Sequence, residues 1–219
     1  ESDIDQAVRC LVRIKELRGS EGSAKLPTAA EACFSVREVV GNIDGRLERL
    51  RSMPDDGDHY HELHAFLERD YSPAFTEISH WCELTLNGWG ESTGLKLATS
   101  QRTLSPSDFG FHNALRRPTG EIVFLDFEYF GWDDPAKMVS DFLHHPAMNL
   151  TESLKQRFVD NILRGFHEYE NLVRRLAVVY PLFGLKWCLI MLNEFLPEKL
   201  FRREFANGAP VDLGKIQSS

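Results

Sequence analysis

One short β-rich segment lies within a chain whose apolar residues otherwise follow helical spacing, and this combination limits the fold more than any other feature. In "HNALRRPTGEIVFLDFE" (residues 112–128), a Pro-Thr-Gly turn separates two short runs, and the second run is rich in β-branched and aromatic residues. This pattern predicts a β-hairpin. We therefore expect a fold that is mainly α with a small β-hairpin inset (α+β).

Apolar residues at helical spacing predict three helical segments before the hairpin. The first contains "IDQAVRCLVRIKEL", and the second covers residues 29–50. The third covers residues 60–84, where Pro73 is expected to mark a bend or break. After the hairpin, Asp134 is expected to cap a helix that has Pro135 at its first position. Two more helices are predicted at residues 151–176 and 181–196.

The bulk properties favour a soluble cytoplasmic protein. The 219 residues carry a net charge of −8 without a run rich in lysine or arginine, which argues against binding to a nucleic acid backbone. The four cysteines are widely spaced and are expected to be free thiols in a reducing compartment. No apolar run approaches the ~20 residues of a membrane span, and residues 1–10 lack the pattern of a signal peptide.

Three polar residues around the predicted hairpin suggest a chemistry. Asp108 precedes Asn113 by five residues, and Asp126 ends the apolar run of the second strand. Phosphoryl transfer from ATP requires a carboxylate beside the acceptor hydroxyl and oxygen ligands that hold Mg²⁺ against the phosphates. Asp108 suits the first task, and the Asn113 and Asp126 oxygens suit the second. The alternative is a helical domain whose acidic residues only cap turns.

The same residues resemble a known family. "SDFGFHN" followed by "IVFLDFEYFGWDDPA" is similar to the catalytic core of the aminoglycoside phosphotransferase and choline kinase family, which is related to protein kinases. The resemblance implies a protein-kinase-like C-terminal lobe. It also implies that Asp108 is the catalytic base and that Asn113 and Asp126 bind Mg²⁺ and, through it, ATP.

Three further residues are candidates for supporting roles. Glu128 takes the second acidic position of the Asp-Phe-Glu triplet found in choline kinases, which implies an indirect role beside the metal or a substrate contact. His112 is a candidate contact for a phosphate or the substrate, and packing of its loop is the alternative. Asp133 is a candidate for attracting a cationic acceptor.

The sequence departs from the family pattern at two places. Pro106-Ser107 replaces the His-Gly that precedes the catalytic Asp, and Met138 replaces the usual Asp of the next helix. Asp141, three residues later, is a candidate structural substitute for that Asp. The family also has an N-terminal, mainly β lobe that covers ATP, and no matching Gly-rich loop flanked by strands precedes Asp108.

We therefore expect residues 1–206 to form the catalytic lobe and residues 207–219 to form a loose tail, without the ATP-covering lobe. The predicted function is an ATP- and Mg²⁺-dependent transfer of the γ-phosphate to a hydroxyl of a sugar, amino sugar or amino alcohol. The alternative is a catalytically silent kinase-like domain used for binding or regulation. The sequence leaves the acceptor and the oligomeric state open.

Overall fold

The computed structural model describes residues 2–53 and 58–196, which form a mainly helical body with two small antiparallel sheets. The α-helices are α1 Asp3–Glu16, α2 Val36–Arg51, α3 Asp58–Phe66, α4 Ser72–Gly88, α5 Pro135–His144, α6 Glu152–Gly165 and α7 Leu172–Met191. The strands are β1 Thr103–Ser105, β2 Ala114–Arg116, β3 Ile122–Phe124 and β4 Gly131–Asp133. The predicted boundary at residue 206 and the predicted tail lie outside the described residues.

Serine caps fix the starts of the first two helices. Ser35 accepts a hydrogen bond from the Glu38 N–H while the Glu38 carboxylate accepts from the Ser35 N–H, and Ser2 and Asp5 form the same reciprocal pair on α1. The prediction that the second helix extends back to residue 29 is therefore wrong. The preceding segment instead runs parallel to β4 and pairs with it, with the Ala29 N–H donating to the Trp132 carbonyl oxygen at 2.9 Å.

The third helical segment loses its α-helical pattern directly before Pro73. A π-helical turn at Leu67–Tyr71 joins α3 to α4, and the Ser72 N–H bonds the Leu67 carbonyl oxygen five residues back. Pro73 follows these helical residues and has no N–H for the α-helical hydrogen-bond pattern, so the expected break lies at this point of the segment.

The hairpin prediction is confirmed. Strand β2 pairs antiparallel with β3, with Ala114 opposite Phe124. A second two-stranded sheet, β1 with β4, was not predicted because strands of three residues show too little alternation. Packing requires glycine at position 131 of β4, because a Cβ there would lie 2.4 Å from the Pro27 carbonyl oxygen.

Helix α7 forms the centre of the body, packing against α2, α4 and α5. It begins at Leu172 and continues through Pro181, so the predicted helix boundaries at 176 and 181 are wrong. Gly184 brings α5 close, because an added Cβ would lie 3.2 Å from the His144 ring. That ring stacks on Tyr180 and hydrogen-bonds the Tyr180 carbonyl oxygen at 3.0 Å. Burial lowers the pKa of His144.

By length and composition alone, the stretch Leu172–Phe195 could cross a membrane, which differs from the sequence expectation. The helix of a protein core passes the same test, and Lys186 in the middle of this stretch is almost completely buried within the protein. The absence of a membrane partner stays a prediction.

Candidate active site

The loop between β1 and β2 holds Asp108 and Asn113 against each other. The Asn113 side-chain amide donates to the Asp108 carbonyl oxygen at 3.1 Å and to its carboxylate Oδ2 at 3.2 Å. The Asp108 N–H bonds the Pro106 carbonyl oxygen at 3.0 Å, which tightens the turn. These bonds leave the Asn113 side-chain carbonyl oxygen as the atom that this residue can offer to a metal.

The hairpin brings Asp126 to the same end of the sheet. The Leu125 N–H donates to the Asn113 carbonyl oxygen at 2.8 Å, which extends the β2–β3 pairing by one residue. Asp126 follows directly, with an exposed side chain. The structure therefore places Asp108 and Asn113 in one loop and Asp126 at the adjacent end of the hairpin.

Left-handed backbone conformations concentrate around this site. Ser107 has φ 68°, Asp126 has φ 60° and Glu31 has φ 53°. Residues other than glycine rarely adopt such values, and each costs roughly 1–2 kcal/mol unless local contacts compensate. Strained backbone of this kind concentrates at functional sites.

His112 supports the Asp108 carboxylate from the other side. Its Nε2 lies 3.1 Å from Asp108 Oδ1, and its ring stacks on His145 at 3.9 Å with planes 5° apart. Asp108, His112 and His145 bring potential ligand atoms within 4.8 Å of one another. Imidazoles bind metals in the plane of the ring, so two parallel stacked rings cannot both direct a nitrogen at one ion. Burial lowers the pKa of His145, and the charge of His112 lowers it further.

Glu128 is exposed at the turn that follows Asp126. It accepts a hydrogen bond from the Tyr129 hydroxyl, and this contact raises the pKa of Tyr129. Glu128 therefore lies beside a residue that lines the pocket described below.

A buried ion group lies beneath the loop. Lys137 Nζ contacts Asp133 Oδ2 at 2.8 Å and Asp141 Oδ2 at 3.2 Å, and Lys137 and Asp133 are almost completely buried. Burial favours the neutral amine, but the charges of Asp133 and Asp141 outweigh it and raise the pKa of Lys137. The Asp133 carboxylate thus contacts Lys137 and has no surface for direct contact with an acceptor. A supporting role is compatible with this position.

Asp141 ties α5 to α7. Its Oδ1 accepts from Trp187 Nε1 at 2.9 Å, while Met138 is buried in the core. These contacts make Asp141 a structural anchor between α5 and α7.

A pocket of about 400 Å³ lies in front of Asp108. Its charged and aromatic lining consists of Glu31, Asp108, Tyr129, Lys137, Lys186 and Trp187, among others. Lys186 bonds Glu31 Oε2 at 2.7 Å, and Arg46 bonds Glu31 Oε1. Burial raises the pKa of Glu31, but the charge and hydrogen bond of Lys186 outweigh it, so the pKa is lowered overall.

Sequence reasoning missed three residues that line this pocket. Lys137 and Asp141 are four apart on α5, and Asp133 precedes Lys137 by four residues at the end of β4, so this spacing was a usable signal for Lys137. Glu31 and Lys186 gave no local signal, since they come from distant parts of the chain and meet only in the folded protein.

Comparison of the chain with models of known protein families finds no match. Comparison with curated protein sequences finds no match either.

Proposed function

We propose that the chain is the catalytic part of an ATP- and Mg²⁺-dependent phosphotransferase with a protein-kinase-like fold. It transfers the γ-phosphate to a hydroxyl of a small molecule, and by resemblance to the aminoglycoside phosphotransferase and choline kinase family that molecule is a sugar, amino sugar or amino alcohol. The observation that carries the proposal is the pair of hydrogen bonds from Asn113 to Asp108, next to the hairpin end that bears Asp126.

Asp108 is the group that orients the acceptor hydroxyl and accepts its proton. Its side chain is 45% exposed and lines the pocket, so an acceptor in the pocket can reach it. Asn113 and His112 each hold one carboxylate oxygen. This fixes the direction of the carboxylate, as positioning of the base requires.

Asn113 and Asp126 fit Mg²⁺ by the chemistry of their atoms. One offers a neutral carbonyl oxygen and the other an anionic carboxylate, and both are hard oxygen ligands of the kind this ion prefers. When bound, Mg²⁺ neutralises charge on the transferred phosphate. The hydrogen bond between Leu125 and Asn113 keeps these two ligands at the same end of the hairpin.

Exposed apolar side chains next to these ligands suit the nucleotide or an ATP-covering lobe. Leu115 and Leu125 lie on one face of the hairpin and are 62% and 44% exposed. An exposed apolar surface of this kind is typical of a binding face. Under the proposal it packs against the base of ATP or the lobe that covers it.

The acceptor pocket combines acids with aromatic side chains. Glu31 and Asp108 contribute carboxylates, while Tyr129 and Trp187 contribute flat apolar walls. Because Glu31 pairs with Lys186 and Asp141 pairs with Lys137, Asp108 is the accessible carboxylate for a hydroxyl or an amine of the acceptor, and the flat walls suit the body of a small molecule. We retain a cytoplasmic location, with no nucleic acid or membrane partner, as part of the same proposal.

The test measures phosphoryl transfer to a panel of sugars, amino sugars and amino alcohols by the protein expressed from its native gene. Asp108→Asn is expected to reduce turnover by roughly 10²–10⁴-fold while Mg²⁺–nucleotide binding changes little, since only the base is lost. Asp126→Asn is expected to lose both turnover and Mg²⁺–nucleotide binding. Asp160→Asn, an exposed change on α6, is the matched control and should leave both unchanged.

Unchanged turnover in Asp108→Asn would contradict the catalytic assignment. If the wild-type protein gives no product that depends on Asp126, the silent kinase-like domain for binding or regulation replaces the enzyme.

A further inference from the structure

His145 directly follows α5 and lines the pocket in front of Asp108. Its side chain is partly exposed. Of the two stacked imidazole rings, that of His145 belongs to the pocket lining, whereas that of His112 supports the Asp108 carboxylate. His145 is therefore the histidine that a bound acceptor can reach.

Three contacts hold the His145 ring in one position. The ring stacks on His112 with centroids 3.9 Å apart, and it meets the Trp187 ring edge-on at 4.7 Å with the planes at 68°. Its Nδ1 accepts a hydrogen bond from the Ala147 N–H at 3.2 Å. A side chain that is already held in place loses little rotamer freedom when a ligand binds to it.

The Ala147 N–H determines which nitrogen of His145 carries the proton. A backbone N–H only donates, so Nδ1 accepts without a proton and the neutral ring carries its proton on Nε2. Burial lowers the pKa of His145, which also favours the neutral ring. His145 therefore offers an Nε2–H donor.

This donor is free to bind a ligand. Nε2 of His145 has no hydrogen-bond partner among residues 2–53 and 58–196. Within those ranges the buried side-chain atoms without a partner are Ser79 Oγ and Arg175 Nη2, so Nε2 of His145 is unpaired and accessible.

His145 lies on the side of Asp108 that faces away from the proposed metal ligands. Asn113 donates to Asp108 Oδ2, whereas His112 contacts Oδ1. Because His145 stacks on His112, it lies on the Oδ1 side. The pocket lining contains Asp108 and His145, while Asp126 lies at the hairpin end outside this lining. The His145 donor therefore faces the acceptor rather than the metal-bound phosphates.

The short distance between base and donor selects two neighbouring oxygens in the acceptor. A ring nitrogen of His145 and a carboxylate oxygen of Asp108 lie within 4.8 Å of each other. Two groups this close bind hydroxyls on adjacent carbons, one that donates to Asp108 and one whose oxygen accepts from His145. An ammonium group cannot take the second position, because it only donates.

We propose that His145 Nε2–H binds the oxygen next to the reacting hydroxyl, so that the acceptor is a sugar or another polyol with neighbouring hydroxyls. An amino alcohol with its amine next to the reacting hydroxyl lacks the required oxygen. The Trp187 and Tyr129 walls of the pocket suit the carbon ring of such a polyol. This inference rests on the proposed function, because it takes Asp108 as the partner of the reacting hydroxyl.

The test measures binding of three probes to the whole chain by NMR titration without nucleotide. The probes are vicinal cis-cyclohexanediol, cyclohexanol, which lacks the second oxygen, and vicinal cis-aminocyclohexanol, which replaces it with an ammonium group. His145→Asn keeps an oxygen that can accept from the Ala147 N–H but loses the donor at the Nε2 position. His145→Gln places an amide N–H near the Nε2 position and loses the acceptor.

His145→Asn should weaken binding of the diol by roughly fivefold, as expected for one neutral hydrogen bond, and His145→Gln by less than about twofold. The affinities for cyclohexanol and aminocyclohexanol should stay the same in both variants, since neither probe offers His145 an acceptor. His167→Asn, which changes an exposed histidine, is the matched control and should leave all three affinities unchanged.

Absence of diol binding by the wild-type chain would overturn the proposal, and so would equal weakening of diol and cyclohexanol in His145→Asn. An affinity for aminocyclohexanol that falls in His145→Asn would overturn the choice of an oxygen. Diol binding that depends on His145, without any phosphoryl transfer, would contradict the proposed function and keep the diol site. Phosphoryl transfer to the diol at the same rate in wild type and His145→Asn would contradict this inference and keep the proposed function.

Discussion

The two sides of the pocket in front of Asp108 differ in how their charges are partnered. On the inner side, Lys137 is buried between Asp133 and Asp141, and every charge faces an opposite one. On the outer side, the accessible Asp108 carboxylate follows the left-handed Ser107, and beyond the pocket the exposed Asp126 at the hairpin end is itself left-handed. The inner group holds the loop from below, through Lys137 Nζ, which lies 3.4 Å from the Ser107 hydroxyl. A rigid inner side thus supports a strained outer side that can accept ligands.

Removing the inner cation gives the largest expected effect on stability. Lys137→Met leaves the buried Asp133 carboxylate without its cation and removes one partner of the partly buried Asp141, so the free energy of unfolding should fall by about 3–5 kcal/mol. Urea denaturation measures this loss. Lys155→Met is the matched control, since Lys155 pairs with the exposed Glu152 and its removal should cost less than about 1 kcal/mol. Similar losses in both variants would remove the distinction between the two sides of the pocket.

Ser107 tests the strain on the outer side. Ser107→Gly and Ser107→Ala both lose the hydroxyl bond to the Ala30 carbonyl oxygen, so their difference reports the backbone alone. Because φ is 68°, the glycine variant should be more stable than the alanine variant by about 1 kcal/mol. Thermal unfolding of the two variants measures this difference. An alanine variant at least as stable as the glycine variant would show that the loop is unstrained.

Replacing Glu31 has the smallest expected effect, a change in the pH dependence of the free energy of unfolding. Its pKa in the folded protein is lowered from 4.5, so it stabilises the fold above that value and loses this contribution as the pH falls through the lowered pKa. Glu31→Gln should therefore flatten the loss of stability below pH 4.5. The side chain is 42% exposed, so the pH-dependent part of the change in stability should stay below about 1 kcal/mol. Urea denaturation from pH 3 to 6 measures it, and Glu77→Gln, an exposed change on α4, should keep the wild-type pH dependence.

The parts of the structure that the sequence predicted depend on local signals. The Pro-Thr-Gly turn predicted the β2–β3 hairpin, and Asp134 with Pro135 predicted the start of α5, where the Asp134 carboxylate accepts from the Ala136 N–H. The grouping of Asp108 with Asn113 was also predictable, because the two lie five positions apart in one loop.

The missed parts depend on tertiary packing. Pro181 lies inside α7 because the surrounding helices hold the chain helical there, which overrides the local preference for a helix start. Lys186 and Glu31 are more than 150 positions apart, so their pairing follows only from the path of α7 past the segment before α2. Neither the helical conformation at Pro181 nor the pairing of Lys186 with Glu31 can be predicted from the neighbouring residues.

The central claim is that Asn113 and Asp126 form a metal site for a nucleotide, and paramagnetic NMR tests it most directly. Mn²⁺ replaces Mg²⁺ in the presence of ATP, and the broadening of backbone amide signals reports the position of the ion. We expect the strongest broadening at residues 113 and 126, its loss in Asp126→Asn, and its retention in Asp160→Asn. Broadening centred on His112 and His145, or broadening that persists in Asp126→Asn, would contradict the claim.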